Sequence, residues 1–244
     1  MLSSFWPYTY FYNKPATHKL IARFGVAAIG DVPYALLKEG QTEDGGATEG
    51  KLQKITYDSP VLPSHDWSGS VELIRRLVGI LGPDRVTCCL DLDAVREQGE
   101  YCAICLGSNV SNLLSRQILM SSDNRTGLRI IGNAGAIGFS SSPESGKITH
   151  QWPTDRKDGQ RNDYGLLLRM PWRGRHALVL AGIGGGATEG LARFLVGQKC
   201  LQMFNMEEVC SSSTLGLVAA FRRGEPGQAK PVAKLVDGRF ELLG

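Results

Sequence analysis

The sequence predicts an α/β fold: a Rossmann-like mixed sheet with a parallel core, flanking helices and antiparallel strands in the C-terminal half. Three observations lead there. Ala177 to Ile183 is a near-continuous apolar run of strand length, the pattern of a strand covered on both faces. Gly184, Gly185 and Gly186 break it, and Leu191, Phe194 and Leu195 resume it at helical spacing, which reads as strand, glycine turn, helix. Before residue 120, strand-length and helix-length apolar segments alternate as in βαβ units.

The bulk numbers fit one such domain. A chain of 244 residues with 42% hydrophobic and 21% charged residues can bury one large α/β core. The formal charge of +3 is mild and the Lys and Arg residues are scattered, so no specific nucleic acid or anionic membrane is expected as a partner. No apolar stretch approaches the roughly 18 residues of a membrane span, and the N-terminus lacks the features of a signal peptide, so the expected location is a cytoplasm. The six cysteines do not form a disulfide framework; Cys102 and Cys105 alternate faces of one strand, and buried thiols are expected.

Taken in order, residues 1–18 form an aromatic N-terminal arm (Phe5-Trp-Pro-Tyr-Thr-Tyr-Phe-Tyr12), with 19–244 as a single domain. The arm is a partner-binding or edge segment, or packs on its own domain. Leu20 to Ile29 reads as a strand, Asp31 as an N-cap, and Val32 to Lys38 as a short helix. Gly40 to Lys51 is a glycine-rich loop. It contains Gly45-Gly-Ala-Thr-Glu-Gly50, identical to Gly185 to Gly190 but without a buried strand before it, so the match reads as coincidence. Leu52 to Tyr57 is a strand, Pro60 to His65 a loop, and Ser68 or Ser70 to Leu81 a helix stopped by Gly82-Pro83. Arg85 to Leu90 and Tyr101 to Leu106 are strands around a helix over Leu92 to Gln98. Ser111 or Asn112 caps a helix carrying Leu113, Leu114, Ile118 and Leu119. Leu128 to Ile131, Ala134 to Ser140 and Lys147 to His150 form an antiparallel insertion. Leu166 to Met170 pairs antiparallel with the glycine-turn strand, Met203 to Val209 is a short helix, and Leu215 to Arg222, Pro231 to Val236 and Phe240 to Leu243 close the chain as strands around a 224–230 connection.

Two strand-to-helix turns are the candidate site. A glycine turn before a helix offers free backbone N–H groups and a positive dipole end, favourable for phosphate. The ligand-binding residues expected are therefore Gly107, Ser108, Asn109 and Asn112 in one turn and Gly184, Gly185, Gly186 and Thr188 in the other. Neither turn has the G-x-G-x-x-G spacing, and no P-loop lysine follows. Three glycines in succession weaken the backbone and call for a reason, such as close approach of a ligand or tight packing on the sheet. Asp31, Asp163 and Glu189 are the candidate catalytic carboxylates, with structural alternatives as an N-cap, the opening of a strand and a charge in the first helical turn. Arg169, Arg173 and Arg175 flank the site strand as phosphate partners or structural pairs. The histidines at 18, 65, 150 and 176 show no ligand spacing, so no metal is expected. No G-x-S-x-G elbow is present.

Gly30-Asp31, Leu106-Gly-Ser-Asn-Val-Ser-Asn112, Asp163-Tyr164-Gly165 and Val179-Leu-Ala-Gly-Ile-Gly-Gly-Gly-Ala-Thr188 together resemble a poorly characterised prokaryotic Rossmann-like domain of signalling and defence proteins. They are more distantly similar to the SLOG and deoxyribosyltransferase-like nucleotide-handling folds. The resemblance spans roughly residues 20 to 243 and implies recognition of a nucleotide or nucleotide-derived signal. Ile183-Gly184-Gly185 stands where a larger polar residue is expected after the strand, a departure from the pattern that bears on any carried-over catalytic role. The expectation is a cytoplasmic ligand sensor, with possible self-association and a small phosphorylated or nucleotide-like ligand. The alternatives are an enzyme cleaving the N-glycosidic bond of NAD or a nucleoside, and an interaction domain using the aromatic arm.

Overall fold

A computed structural model describes residues 20–24, 31–34, 53–56, 64–81, 86–90, 102–109, 112–121, 124–131, 135–142, 146–153, 162–173, 175–197, 203–222 and 225–244. The aromatic arm, the 40–51 loop and the helix expected over Leu92 to Gln98 lie outside the described residues. The elements run β1 (Leu20–Phe24), β2 (Asp31–Tyr34), β3 (Gln53–Thr56), α1 (Ser64–Leu81), β4 (Val86–Leu90), β5 (Cys102–Leu106), α2 (Leu113–Leu119), β6 (Leu128–Ile131), β7 (Ala136–Phe139), β8 (His150–Pro153), β9 (Asn162–Trp172), β10 (Arg175–Gly182), α3 (Gly185–Val196), α4 (Met206–Ser211), β11 (Leu215–Arg222), β12 (Glu225–Val236) and β13 (Arg239–Leu242).

The fold is α/β around a mixed eight-stranded sheet of order β13-β12-β11-β9-β10-β5-β1-β4. β4, β1, β5 and β10 pair in parallel. From β10 outward the pairings with β9, β11, β12 and β13 are antiparallel. Because side chains alternate across a strand, each inner strand feeds two cores. On one face Ile104, Leu106, Leu178, Leu180 and Leu217 pack against Leu73 and Leu77 of α1, Leu191 of α3 and Val209 of α4. On the other, Ala103, Cys105, Val179, Leu166 and Leu168 pack against Leu114 and Ile118 of α2 and the small sheet β6-β7-β8. Cys105 is fully buried.

Four local expectations are corrected. Asp31 and Val32 belong to β2, a strand paired with β3 in the register Val32↔Ile55, and open no helix; a period-two run beside a partner strand takes the sheet geometry. α1 begins at Ser64, within the stretch expected as a loop. Within α1, Gly69 is a packing residue: a Cβ there would lie 3.0 Å from both Ala192 Cβ and Glu189 Cα. β8 is displaced toward the C-terminus, to His150–Pro153. Glu225 to Lys230, expected as a connection, belongs to β12, and register shifts at Val218/Ala219 and Phe221/Arg222 absorb its irregular pairing with β11.

Candidate functional site

Three elements converge at the carboxyl edge of the parallel strands. β10 ends there and α3 begins; β9, antiparallel to β10, starts there with Asp163; and α1, which runs back toward the start of β4, places its first turn beside that of α3. The neighbouring turn after β5 lies at the same edge, since Gly107 N–H donates to Leu180 O at 2.9 Å and continues the β5–β10 ladder. Gly107 has φ +115°, a conformation glycine adopts without a Cβ penalty. The structure therefore brings the 107–109 and 184–188 turns side by side.

The glycine turn is held from within. Asp163 Oδ1 accepts the N–H groups of Gly184 and Tyr164, each at 2.9 Å, and its Oδ2 accepts that of Ala187 at 3.2 Å. Gly184 is the N-cap of α3 and has no side chain to cap with, so Asp163 supplies the carboxylate from β9. A Cβ on Gly184 would lie 2.5 Å from Asp163 Oδ2, and one on Gly185 3.1 Å from His65 Cβ and Cδ2, whereas one on Gly186 would meet open space. A side chain at Gly184 would thus displace the Asp163 carboxylate, and one at Gly185 would press on His65. Thr188 is buried, and its Oγ1 accepts the Gly182 N–H at 3.0 Å, so it braces the turn rather than facing out.

Glu189 sits in the second turn of α3, beyond the reach of the helix terminus, which corrects its reading as a first-turn charge. Its Oε2 lies 2.8 Å from His65 Nδ1; its Oε1 accepts from Ser68 Oγ at 3.0 Å and from Arg193 Nη2 at 2.7 Å. Arg193 Nε also lies 3.7 Å from Glu72 Oε2. Burial works against the Glu189 charge, but the hydrogen bonds from His65, Ser68 and Arg193 outweigh it and hold the carboxyl below its ordinary value. Asp163 goes the other way: burial raises its carboxyl, against the pull of the Gly184, Tyr164 and Ala187 N–H groups and of His65. Two carboxylates with opposite shifts beside one imidazole are the arrangement by which proteins separate acid from base. The Glu189 side chain is 8% exposed and that of His65 57%. With an ionised acceptor at Nδ1, the neutral imidazole carries its proton there and its lone pair on Nε2.

The other expected residues divide. Asn112 is the buried N-cap of α2, its Oδ1 accepting from Ser115 N–H at 2.8 Å and its Nδ2 donating to Leu106 O at 3.0 Å, so it is committed to local structure. Ser108 O accepts the Asn112 N–H. Asn109 O accepts from Arg116 Nε at 2.7 Å, while its Oδ1 is buried with no donor among the described residues. Asp31 lies on β2, which pairs with β3 in a sheet separate from the eight-stranded one among the described residues. Arg169 is turned into the core, where it donates to Val209 O and Ser212 O, and Arg173 lies over the Trp172 ring beyond the far end of β9; neither serves the site. His65 and Ser68 escaped the sequence reading. The signal lay in Pro63-Ser64-His65, since a helix that leads into a parallel strand starts at the carboxyl edge.

A cavity of about 560 Å³ lies elsewhere, between α4, β12 and β13. Three of its charged groups are engaged: Lys234 Nζ with Glu208 Oε2 at 2.9 Å, and Asp237 Oδ1 accepting from Ser213 and Thr214. Among the described residues no three His, Cys, Asp or Glu side chains group for a metal ion, and no helix is long and apolar enough to cross a membrane. No protein-family model matches the chain, and no curated protein matches it.

Proposed function

We propose that the chain is a Rossmann-like domain that binds a nucleotide or nucleotide-derived molecule at the carboxyl edge of its parallel strands, between the 107–109 and 184–188 turns. One observation carries the reading. β5 and β10 are parallel neighbours, yet β5 leads to α2 on one face of the sheet and β10 to α3 on the other. Chains that part in this way open a crevice at the strand ends, where α/β sheets take their ligands.

The crevice walls favour the nucleoside end of such a ligand. Asn109 Oδ1, which has no donor among the described residues, is an acceptor suited to an amino or ribose hydroxyl donor. The Asp163 carboxylate beneath α3 repels a phosphate from the glycine turn, so the phosphate end points outward. In this reading the domain is a sensor that passes its bound state to a partner or a second copy in signalling or defence. Calorimetry and thermal shift with ATP, NAD and adenosine test it. Gly186→Val puts a side chain into open space without collision, so the fold is kept while the crevice is filled. Binding should weaken at least about tenfold, or ~1.4 kcal/mol. Unchanged binding in the variant places the ligand elsewhere, and no binding by the wild-type protein rejects the reading.

A further inference from the structure

We propose that His65 and Glu189 form a base dyad that hydrolyses uncharged acyl substrates, esters in particular. The proposal rests on the reading of the carboxyl edge as the ligand site and gives that site a reaction. Glu189 Oε2 at 2.8 Å from Nδ1 fixes the ring and its tautomer, as the carboxylate of a catalytic triad does, and leaves Nε2 as the base. Ser68 and Arg193 hold the Glu189 carboxylate in turn, from α1 and from one turn further along α3. Glu189 is buried while the imidazole reaches solvent, so the orienting group is dry and the working atom accessible.

Charge selects the substrate. Glu189 is bonded to the imidazole and Asp163 interacts with it electrostatically, while Arg193, the cation paired with Glu189, is shared with Glu72. A standing anion such as a phosphate monoester is repelled; an uncharged ester is not. Its carbonyl oxygen becomes negative only during reaction, and then the N–H groups of Gly185 and Gly186, which have no acceptor among the described residues, are available to it. A Cβ on Gly185 would lie 3.1 Å from Cδ2, the ring carbon bonded to Nε2, so the imidazole lies against the first residue of α3.

In the reaction, Nε2 takes a proton from a water molecule as the water oxygen bonds to the carbonyl carbon, and the carbonyl π pair moves to oxygen. The tetrahedral species then collapses: the bond to the alcohol oxygen breaks with its electron pair, and that oxygen takes the proton from Nε2. The products are an acid and an alcohol.

The test uses the full chain with p-nitrophenyl acetate as the neutral probe and p-nitrophenyl phosphate as the anionic one, comparing wild type with His65→Gln and Glu189→Gln. His65 is exposed enough for Gln to leave folding intact, which circular dichroism checks. Saturable ester hydrolysis is expected, about 10²-fold or more faster than in His65→Gln and falling as the imidazole is protonated. Glu189→Gln should slow the reaction and displace its pH profile, a change that a purely structural link would not produce. Ester hydrolysis equal in wild type and His65→Gln overturns the dyad, and phosphate hydrolysis as fast as that of the ester overturns the substrate class. Nucleotide titration of the same samples separates the two readings. His65-dependent hydrolysis without nucleotide binding keeps the dyad and removes the nucleotide, while nucleotide binding without hydrolysis does the reverse.

Discussion

Asp163 accepts three backbone N–H groups with one carboxylate, and burial still raises its carboxyl above the ordinary 3.8. The folded chain therefore holds the Asp163 proton more tightly than the unfolded chain, and stability attributable to this group rises as pH falls through the raised value toward 3.8. Glu189 has the opposite sign. Its carboxyl is held below the ordinary 4.5, so its contribution is complete above that value and is lost as pH falls through the folded one. Denaturant titrations across mildly acidic pH should show the wild type gaining on Asp163→Asn as pH drops, and losing to Glu189→Gln at lower pH. Parallel curves for either pair would remove that residue's assigned environment. At neutral pH Glu189→Ala should cost about 1–2 kcal/mol, because it removes three hydrogen bonds whose other partners are partly exposed. The importance of the two carboxylates was visible in sequence through their neighbouring turns. Their partners were not, since His65 and Ser68 lie 124 and 121 residues from Glu189.

The elements meet through small residues. α1 and α3 approach so closely at Gly69 that a Cβ would touch the backbone of Glu189, which cannot yield as a flexible side chain would. Gly69→Val should destabilise by about 1–3 kcal/mol through overpacking, lowering Tm by roughly 2–4 °C per kcal/mol. It should also part His65 from Glu189, which the imidazole resonances would report. Arg169 joins β9 to the last turn of α4 through Val209 O and Ser212 O. Arg169→Met should leave those buried carbonyls without a donor at a cost of about 2–3 kcal/mol, read by urea denaturation. Apolar periodicity located α1, α3 and β10, because each presents a continuous buried stripe. The start of α1 and the identity of β2 escaped it: the first depends on a helix pressed against another at a glycine, the second on pairing with β3.

At the scale of the molecule, two cores share one sheet, and their shared strands β5, β10, β9 and β11 are buried on both faces. Their amides should exchange with solvent slowest, and those of Gly185 and Gly186 far faster, as hydrogen exchange followed by mass spectrometry or NMR would show; equal protection would contradict the open turn. The sequence alone determined the alternation of apolar strands and helices, the antiparallel closing half and the glycine turn after β10. These follow from local periodicity and from the conformations that glycine permits. Only the tertiary structure decided what that turn is for. Packing brought Asp163 beneath α3 and His65 over Gly185, so two N–H groups of a terminus that by itself would attract an anion, those of Gly184 and Ala187, are taken by the chain's own carboxylate, and an imidazole bonded to Glu189 stands at the edge.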